Sequence, residues 1–487
     1  MRITSLSENK TPDKWVVLAI ASVGVFMVTL DSSIVNISLP KISSYFKAPL
    51  SGEVEWIVIS YLIVIASLLL TMGRLSDIMG RKPLWMCGLA IFSLGSASCG
   101  AAPSLLFLVI SRALQGVGGA MVMSVSPAMI TDAFSFRERG KAMGLIGAVV
   151  AVGTCAGPTL GGIITQTLSW RWIFYINVPF GIIGILATLR LVTAPTSLGA
   201  ARSRFDHAGA ALLSTGVILL MLTVTFGQEA GWLSIKVLGA LAASGVIFTL
   251  FLILEARVAH PIVDLSIFRN RIFSSGLISS FLCYLSLFAV MFLMPFYLEV
   301  LLLLPPDRAG LFLTAVPIAV SFAAPISGWL SDRFGSRMLC SLGMAAGAAG
   351  LFLLGRLSQH RSTFAIIAPL VLAGLGQGMF LAPNSNAIMS SAPENRIGVA
   401  SGFMATVRVL GQGFSVAISG AIFTSLGGAR TADRLAQNPL LHAPLLQSTF
   451  IHAFHTAMLT GTVIASLGAL ASFSRGHSLP RSGTLEV

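Results

Sequence analysis

Gly73-Arg74-Leu75-Ser76-Asp77-Ile78-Met79-Gly80-Arg81-Lys82 returns 255 residues later, in weaker form, as Gly328-Trp329-Leu330-Ser331-Asp332-Arg333-Phe334-Gly335-Ser336-Arg337. Both copies join two long apolar runs. Gln115-Gly116-Val117-Gly118 is echoed by Leu375-Gly376-Gln377-Gly378 at an offset of 260, and Arg139-Gly140 by Ile397-Gly398 at 258. Two stretches of like orientation and near-constant offset mark a parallel duplication, the sequence sign of a chain built from two similar halves.

The composition says what the halves are made of. Of 487 residues, 55% are hydrophobic and 10% charged, with a mean hydropathy of +0.87. A soluble domain carries about a quarter charged residues, so a soluble enzyme, a disulfide scaffold and a disordered regulator are all excluded. A membrane-crossing helix needs roughly 20 apolar residues. Such runs fall near 15–38, 54–72, 84–101, 104–130, 142–165, 172–190, 208–226, 235–254, 274–298, 309–330, 338–356, 363–390, 398–425 and 454–473. The fold expected is an all-α polytopic membrane protein with 14 transmembrane helices arranged 6 + 2 + 6. Residues 1–192 form the first six-helix bundle, 193–272 carry two additional helices with cytoplasmic linkers, and 273–487 form the second bundle.

An even number of spans puts both termini on one side. Of the 31 Lys and Arg residues, 20 lie in tails and loops on that side, 9 on the other and two within spans. By the positive-inside rule the termini face the cytoplasm, in a cytoplasmic (inner) membrane. The net charge of +13 reads as this asymmetry, and no nucleic-acid partner is expected. The polar start, Met1 to Lys14, runs directly into a full span, so no cleavable signal peptide is expected. The five cysteines sit in or beside apolar runs without CxxC spacing, which predicts no disulfide framework and no metal site. The seven histidines map to loops or span ends.

Several further stretches, in order, carry a resemblance. Leu30-Asp31-Ser32-Ser33-Ile34-Val35-Asn36-Ile37-Ser38-Leu39-Pro40, the Gly73 to Lys82 loop, Ile110-Ser111-Arg112-Ala113-Leu114-Gln115-Gly116-Val117-Gly118, Gly153-Thr154-Cys155-Ala156-Gly157-Pro158-Thr159-Leu160-Gly161-Gly162 and Trp170-Arg171-Trp172-Ile173-Phe174-Tyr175-Ile176-Asn177-Val178-Pro179 together resemble the major facilitator superfamily. The similarity is to its fourteen-span drug:proton antiporter branch, the EmrB/QacA type, over essentially the whole chain. The resemblance implies the major facilitator fold, export of drugs by alternating access, and no cofactor, the proton-motive force being the driver. It also implies that the first and fourth helices line a central cavity, that the Gly73 loop latches the halves on the cytoplasmic side, and that the Gly153 stretch packs where the halves meet and marks antiporters.

The residues support parts of this by themselves. Asp31 lies nine residues before Pro40, about 13 Å from the outer end of its span, and Arg112 eight residues after Ser104, about 12 Å from the same end. An intramembrane acid is costly and usually functional. At equal depth the two residues can pair, and displacing the pair by a proton or a cationic drug is a coupling event. The alternative is a permanent ion pair that fixes helix register. Arg408, ten residues past Gly398, either serves an anionic group or packs against Gln412. Gln115, Asn384 and Gln412 are candidate cavity residues or helix–helix glue. Glu53, Glu55 and Glu299, at the outer ends of spans, are solvated or steer cations and protons.

In the Gly73 loop, Gly73 and Gly80 permit a tight turn, Asp77 suits a helix N-terminus, and Arg74, Arg81 and Lys82 can pair with it or with anionic lipid. Asp332 is kept in the second copy but Ser336 stands for Arg81, so a weaker latch is expected there. Gly153, Gly157 and Gly161 make one smooth stripe, Pro158 permits a kink, and Gly162 adjoins them. No GxxxxGK[ST] motif occurs, which excludes ATP-driven transport by this chain alone. The function expected is a proton-coupled antiporter of amphipathic, cationic or lipophilic drugs. An exporter of an endogenous metabolite or siderophore is the alternative, and an intramembrane enzyme or passive channel the remote ones. Its partners are small-molecule substrates, protons, the lipid bilayer and, through the long outward segment at 427–453, a periplasmic adaptor.

Overall fold

The computed structural model describes residues 13–48, 53–134, 136–192, 206–231, 234–258, 265–358, 362–392, 397–437 and 444–475. The first bundle holds α1 (Lys14–Phe46), α2 (Trp56–Met79), α3 (Arg81–Gly100), α4 (Leu105–Ala133), α5 (Phe136–Thr167) and one span split into α6 (Trp172–Tyr175) and α7 (Asn177–Leu191). The additional pair is α8 (His207–Ala230) and α9 (Ile235–Glu255). The second bundle holds α10 (Arg271–Phe296), α11 (Pro306–Phe334), α12 (Ser336–Leu354), α13 (Thr363–Ser391), α14 (Ile397–Ser425), the short α15 (Gly428–Gln437) and α16 (Pro444–Phe473). Fourteen of these segments are long and apolar enough to cross a bilayer, and no strand occurs among the described residues. Helices suit that medium because every backbone group is satisfied within the segment. Side chains close several open ends: Ser104, Ser234, Asn270 and Ser362 each accept from an amide in the first helical turn.

The repeated loop is a one-residue hinge between helices. Gly80 and Gly335 stand at φ +92° and +78°, a backbone that favours glycine, and each ends one helix and starts the next. Gly73, expected in the turn, is instead helical within α2, which runs on for about two more turns to Met79 before Gly80 ends it. Within the outward segment at 427–453, residues 428–437 and 444–453 are helical. Ala429, Ala432 and Leu435 of α15 are buried while Arg430 and Arg434 are exposed. The helix therefore lies with its apolar face on α14 and α16, and α16 starts at Pro444, ten residues before the expected 454. His452 and His455 consequently lie inside α16, where His455 Nε2 meets the Leu357 carbonyl.

The bundles meet along two seams, α5 with α11 and α2 with α14. In the first, Pro158 and Gly162 abut Gly310 and Pro306 backbone to backbone, and the Thr159 and Thr314 hydroxyls hydrogen-bond. All these contacts lie near the ends of α5 and α11 away from the chain termini, so that side is closed. In the second seam Gly402 faces Leu70, Gly413 faces Leu62 and Gly420 faces Glu55. Helix α8 packs on both α2 and α14: Ser214 donates to the Ser67 carbonyl (2.8 Å), and Met221 fills the space over Gly413.

Candidate functional site

Asp31 and Arg112 meet in the middle of the first bundle. Arg112 Nη1 donates to Asp31 Oδ2 at 2.5 Å, as their equal depth predicted. Four more helices complete the site. Arg112 Nε donates to the Ile57 carbonyl of α2 (3.0 Å), and its Nη1 also reaches Gln115 Oε1 (2.5 Å), one turn along α4. The Gln115 amide donates to Asp31 Oδ1 (2.8 Å) and to Ser96 Oγ of α3 (2.7 Å). Asn177, the first residue of α7, donates to the same two oxygens at 3.0 Å each. The Tyr61 ring of α2 lies 4.0 Å from the Arg112 guanidinium carbon and Phe174 lies 5.8 Å away, a cation–π arrangement. Ser96 reaches the site because Gly95 brings α3 against the backbone of Gln115, where a Cβ would sit 2.7 Å from its N and Cα.

A buried ion pair is tolerated only when its remaining lone pairs and protons are satisfied. Here the carboxylate accepts three side-chain donors from α4 and α7. Asp31 and Arg112 are 0% and 1% exposed, so the pair does not line a cavity, as the resemblance implied, but is enclosed. The reason is α7, which starts over the carboxylate with Asn177, and the aromatic rings that cover the guanidinium. Ser96, Asn177 and Tyr61 were not among the residues singled out from sequence. Asn177 was visible only inside the quoted Trp170–Pro179 stretch, while Ser96 and Tyr61 gave no signal in an apolar background.

The other candidates are dispersed. Gln115 belongs to this cluster and is fully buried rather than cavity-lining. Asn384 is also buried, inside the second bundle. Its amide donates to Ser280 Oγ (2.6 Å) and the Gly276 carbonyl (3.2 Å), and its oxygen accepts from Arg475. Arg475 lies just past α16, and burial pulls its guanidinium below the ordinary arginine value. Arg408 is half-buried on α14, with the Tyr284 hydroxyl of α10 beside it. It forms no hydrogen bond with Gln412 among the described residues, although both are half-buried on α14.

The Gly73 loop is tied down within its own bundle. Arg81 pairs with Asp132 and donates to the Ala128 carbonyl of α4. Lys82 donates to the Val192 carbonyl at the end of α7, and among the described residues Arg74 Nε is buried without a hydrogen-bond partner. The side chains of Asp77 and Asp332 lie outside the described residues. The glycine stripe is likewise internal: Gly153, Gly157 and Gly161 face Thr29, Ser33 and Ile37 of α1. It does not pack between the halves as expected. Pro158 and Gly162, on another face of α5, do so instead.

The family model described as Major Facilitator Superfamily matches residues 21–272 and 276–474. Riboflavin transporter RibZ of Clostridioides difficile is 36% identical over 413 residues, covering 85% of this chain and 88% of that protein. Multidrug resistance protein Stp of Mycobacterium tuberculosis is 32% identical over 409 residues, covering 84% and 75%. The tetracenomycin C resistance and export protein of Streptomyces glaucescens is 31% identical over 423 residues, covering 87% and 78%. In fold, the chain is similar to a D-xylose-proton symporter, with a TM-score of 0.65, 15% identity and coverage of 95% and 97%. It is equally similar to an inward-facing bacterial homologue of the human lysosomal transporter Spinster, with a TM-score of 0.65, 15% identity and coverage of 96% and 97%.

Proposed function

The chain belongs to the Major Facilitator Superfamily, and from that premise we propose that it exports amphipathic, drug-type compounds across the cytoplasmic membrane in exchange for protons. The termini face the cytoplasm in this reading, following the distribution of Lys and Arg. The observation that carries it is the enclosed Asp31, an acid at mid-depth that accepts from Arg112 and Gln115 of α4 and from Asn177 of α7. A proton on Asp31 neutralises the carboxylate and leaves Arg112 without its counter-charge. The Arg112 guanidinium then holds only the Ile57 carbonyl and Gln115, so α1, α4 and α7 lose the charge that binds them. Taking up and releasing that proton on opposite sides, with the two bundles rocking between, exchanges it for substrate. A proton-motive force of about 150 mV is worth roughly 3.5 kcal/mol per charge. At about 1.4 kcal/mol per decade, that sustains a gradient of a few hundredfold.

The test is proton movement in proteoliposomes holding a pH gradient, on addition of lipophilic dyes to wild type and to Asp31→Asn. Substrate-triggered proton flux in wild type that vanishes in the variant is expected. Flux that persists in Asp31→Asn removes the acid from the coupling path. The second reading is export of an endogenous metabolite. It is favoured by Arg408, a mid-membrane cation beside which no acid lies among the described residues, and it fits the similarity to a protein named as a riboflavin transporter.

A further inference from the structure

We infer that Arg408 is the docking point for an oxyanionic group of the transported compound. Three charges lie deep within the spans. Two of them, Asp31 and Arg112, are consumed by each other and enclosed, so no bare carboxylate at that depth awaits a cation. The third is Arg408, eleven residues into α14 and half-buried. Among the described residues no carboxylate lies within ion-pair distance of it. Its neighbour is a phenol: Tyr284 on α10 stands beside it, where Gly411 lets α14 approach. Helix α14 packs against α2 across the seam and against α10 within the second bundle. Arg408 thus sits half-buried on a helix that meets both bundles.

A guanidinium kept at that depth without a counter-ion is costly, and such residues mark substrate or ion pathways. Its planar fork takes a carboxylate or phosphate through two parallel hydrogen bonds. Phe281 and Phe414, edge to face with ring centres 5.8 Å apart, flank the same stretch of α10 and α14 and suit an aromatic body. The inference rests on the chain being an exporter, but docking itself does not depend on proton coupling.

The oxyanion has two sources, a substrate carboxylate or the phosphate of an anionic lipid, and one experiment separates them. The full chain is purified in neutral detergent and titrated with a carboxylate-bearing xanthene dye and with the cationic ester of the same ring system, each followed by fluorescence anisotropy. Wild type is expected to bind the carboxylate dye. Arg408→Gln should weaken that binding at least tenfold, Arg408→Lys should recover part of it, and the ester should bind wild type and variant alike. Melting curves confirm that both variants are folded. Unchanged binding of the carboxylate dye to Arg408→Gln overturns the inference. So does competitive displacement of the dye by phosphatidylglycerol together with copurification of that lipid with wild type but not with Arg408→Gln, which would make Arg408 a lipid site. Dye binding without proton flux in the proteoliposome assay would instead overturn antiport and leave the docking residue standing.

Discussion

At the scale of single residues, the first bundle is organised around the satisfaction of one carboxylate. Asp31 Oδ1 accepts from Gln115 and Asn177, and both amides also meet Ser96. Asn177→Ala removes one donor from each oxygen and leaves a buried acceptor short, at a cost of about 1–3 kcal/mol. The expected result is a lower melting temperature in detergent, with a larger drop than for Ser96→Ala, where the two amides still hold the acid. Equal melting of both variants and wild type would show that water replaces the lost donors. The Asp31–Arg112 pair was legible from the sequence because depth follows from counting residues along a span. Its partners were not: an isolated Ser, Asn or Tyr in an apolar helix has no periodicity to announce it, and which neighbour it meets is decided by packing between helices distant in sequence.

At the scale of elements, α5 faces two ways. Its Gly153, Gly157 and Gly161 let α1 lie against it, and a Cβ on Gly157 would overlap the Ser33 side chain. Pro158 and Gly162 turn to α11. These faces predict different phenotypes. Gly157→Ala should lower thermal stability because it wedges apart two helices of one bundle. Gly162→Ala should leave melting nearly unchanged but slow transport, because it props open a seam that must close. Flux and melting measured side by side check both, and equal destabilisation by the two variants would contradict the division. Glycine spacing shows from sequence that a face is smooth, but not which helix covers it, so the stripe was assigned to the wrong junction. The 427–453 stretch was expected only as a long outward segment, whereas Ala429, Ala432 and Leu435 on one face fix α15 as an amphipathic helix lying on α14 and α16.

At the scale of the whole molecule, the 6 + 2 + 6 architecture was legible because apolar runs of membrane length are unambiguous in a chain with 10% charged residues, and because the repeated loop fixes the parallel relation of the halves. The closed α5–α11 seam makes a direct prediction. Thr159→Cys with Thr314→Cys, whose hydroxyls already touch, should form a disulfide under mild oxidation, in a background with the exposed Cys87 replaced by Ser. Transport should stop on oxidation and return with reductant. A crosslinked chain that still transports would mean this seam does not open during the cycle.

Helix α8 bears on where a compound can enter. Because it lies across α2 and α14 with Ser214 and Met221 engaged on either side, it shutters one flank of the molecule from the surrounding acyl chains. Among the described residues the flank at α5 and α11 has no such cover and presents Val152, Ile163, Phe322 and Ile326 outward. The two supernumerary helices thus make the molecule's two flanks unequal: one is walled from the lipid by α8, while the other meets it directly.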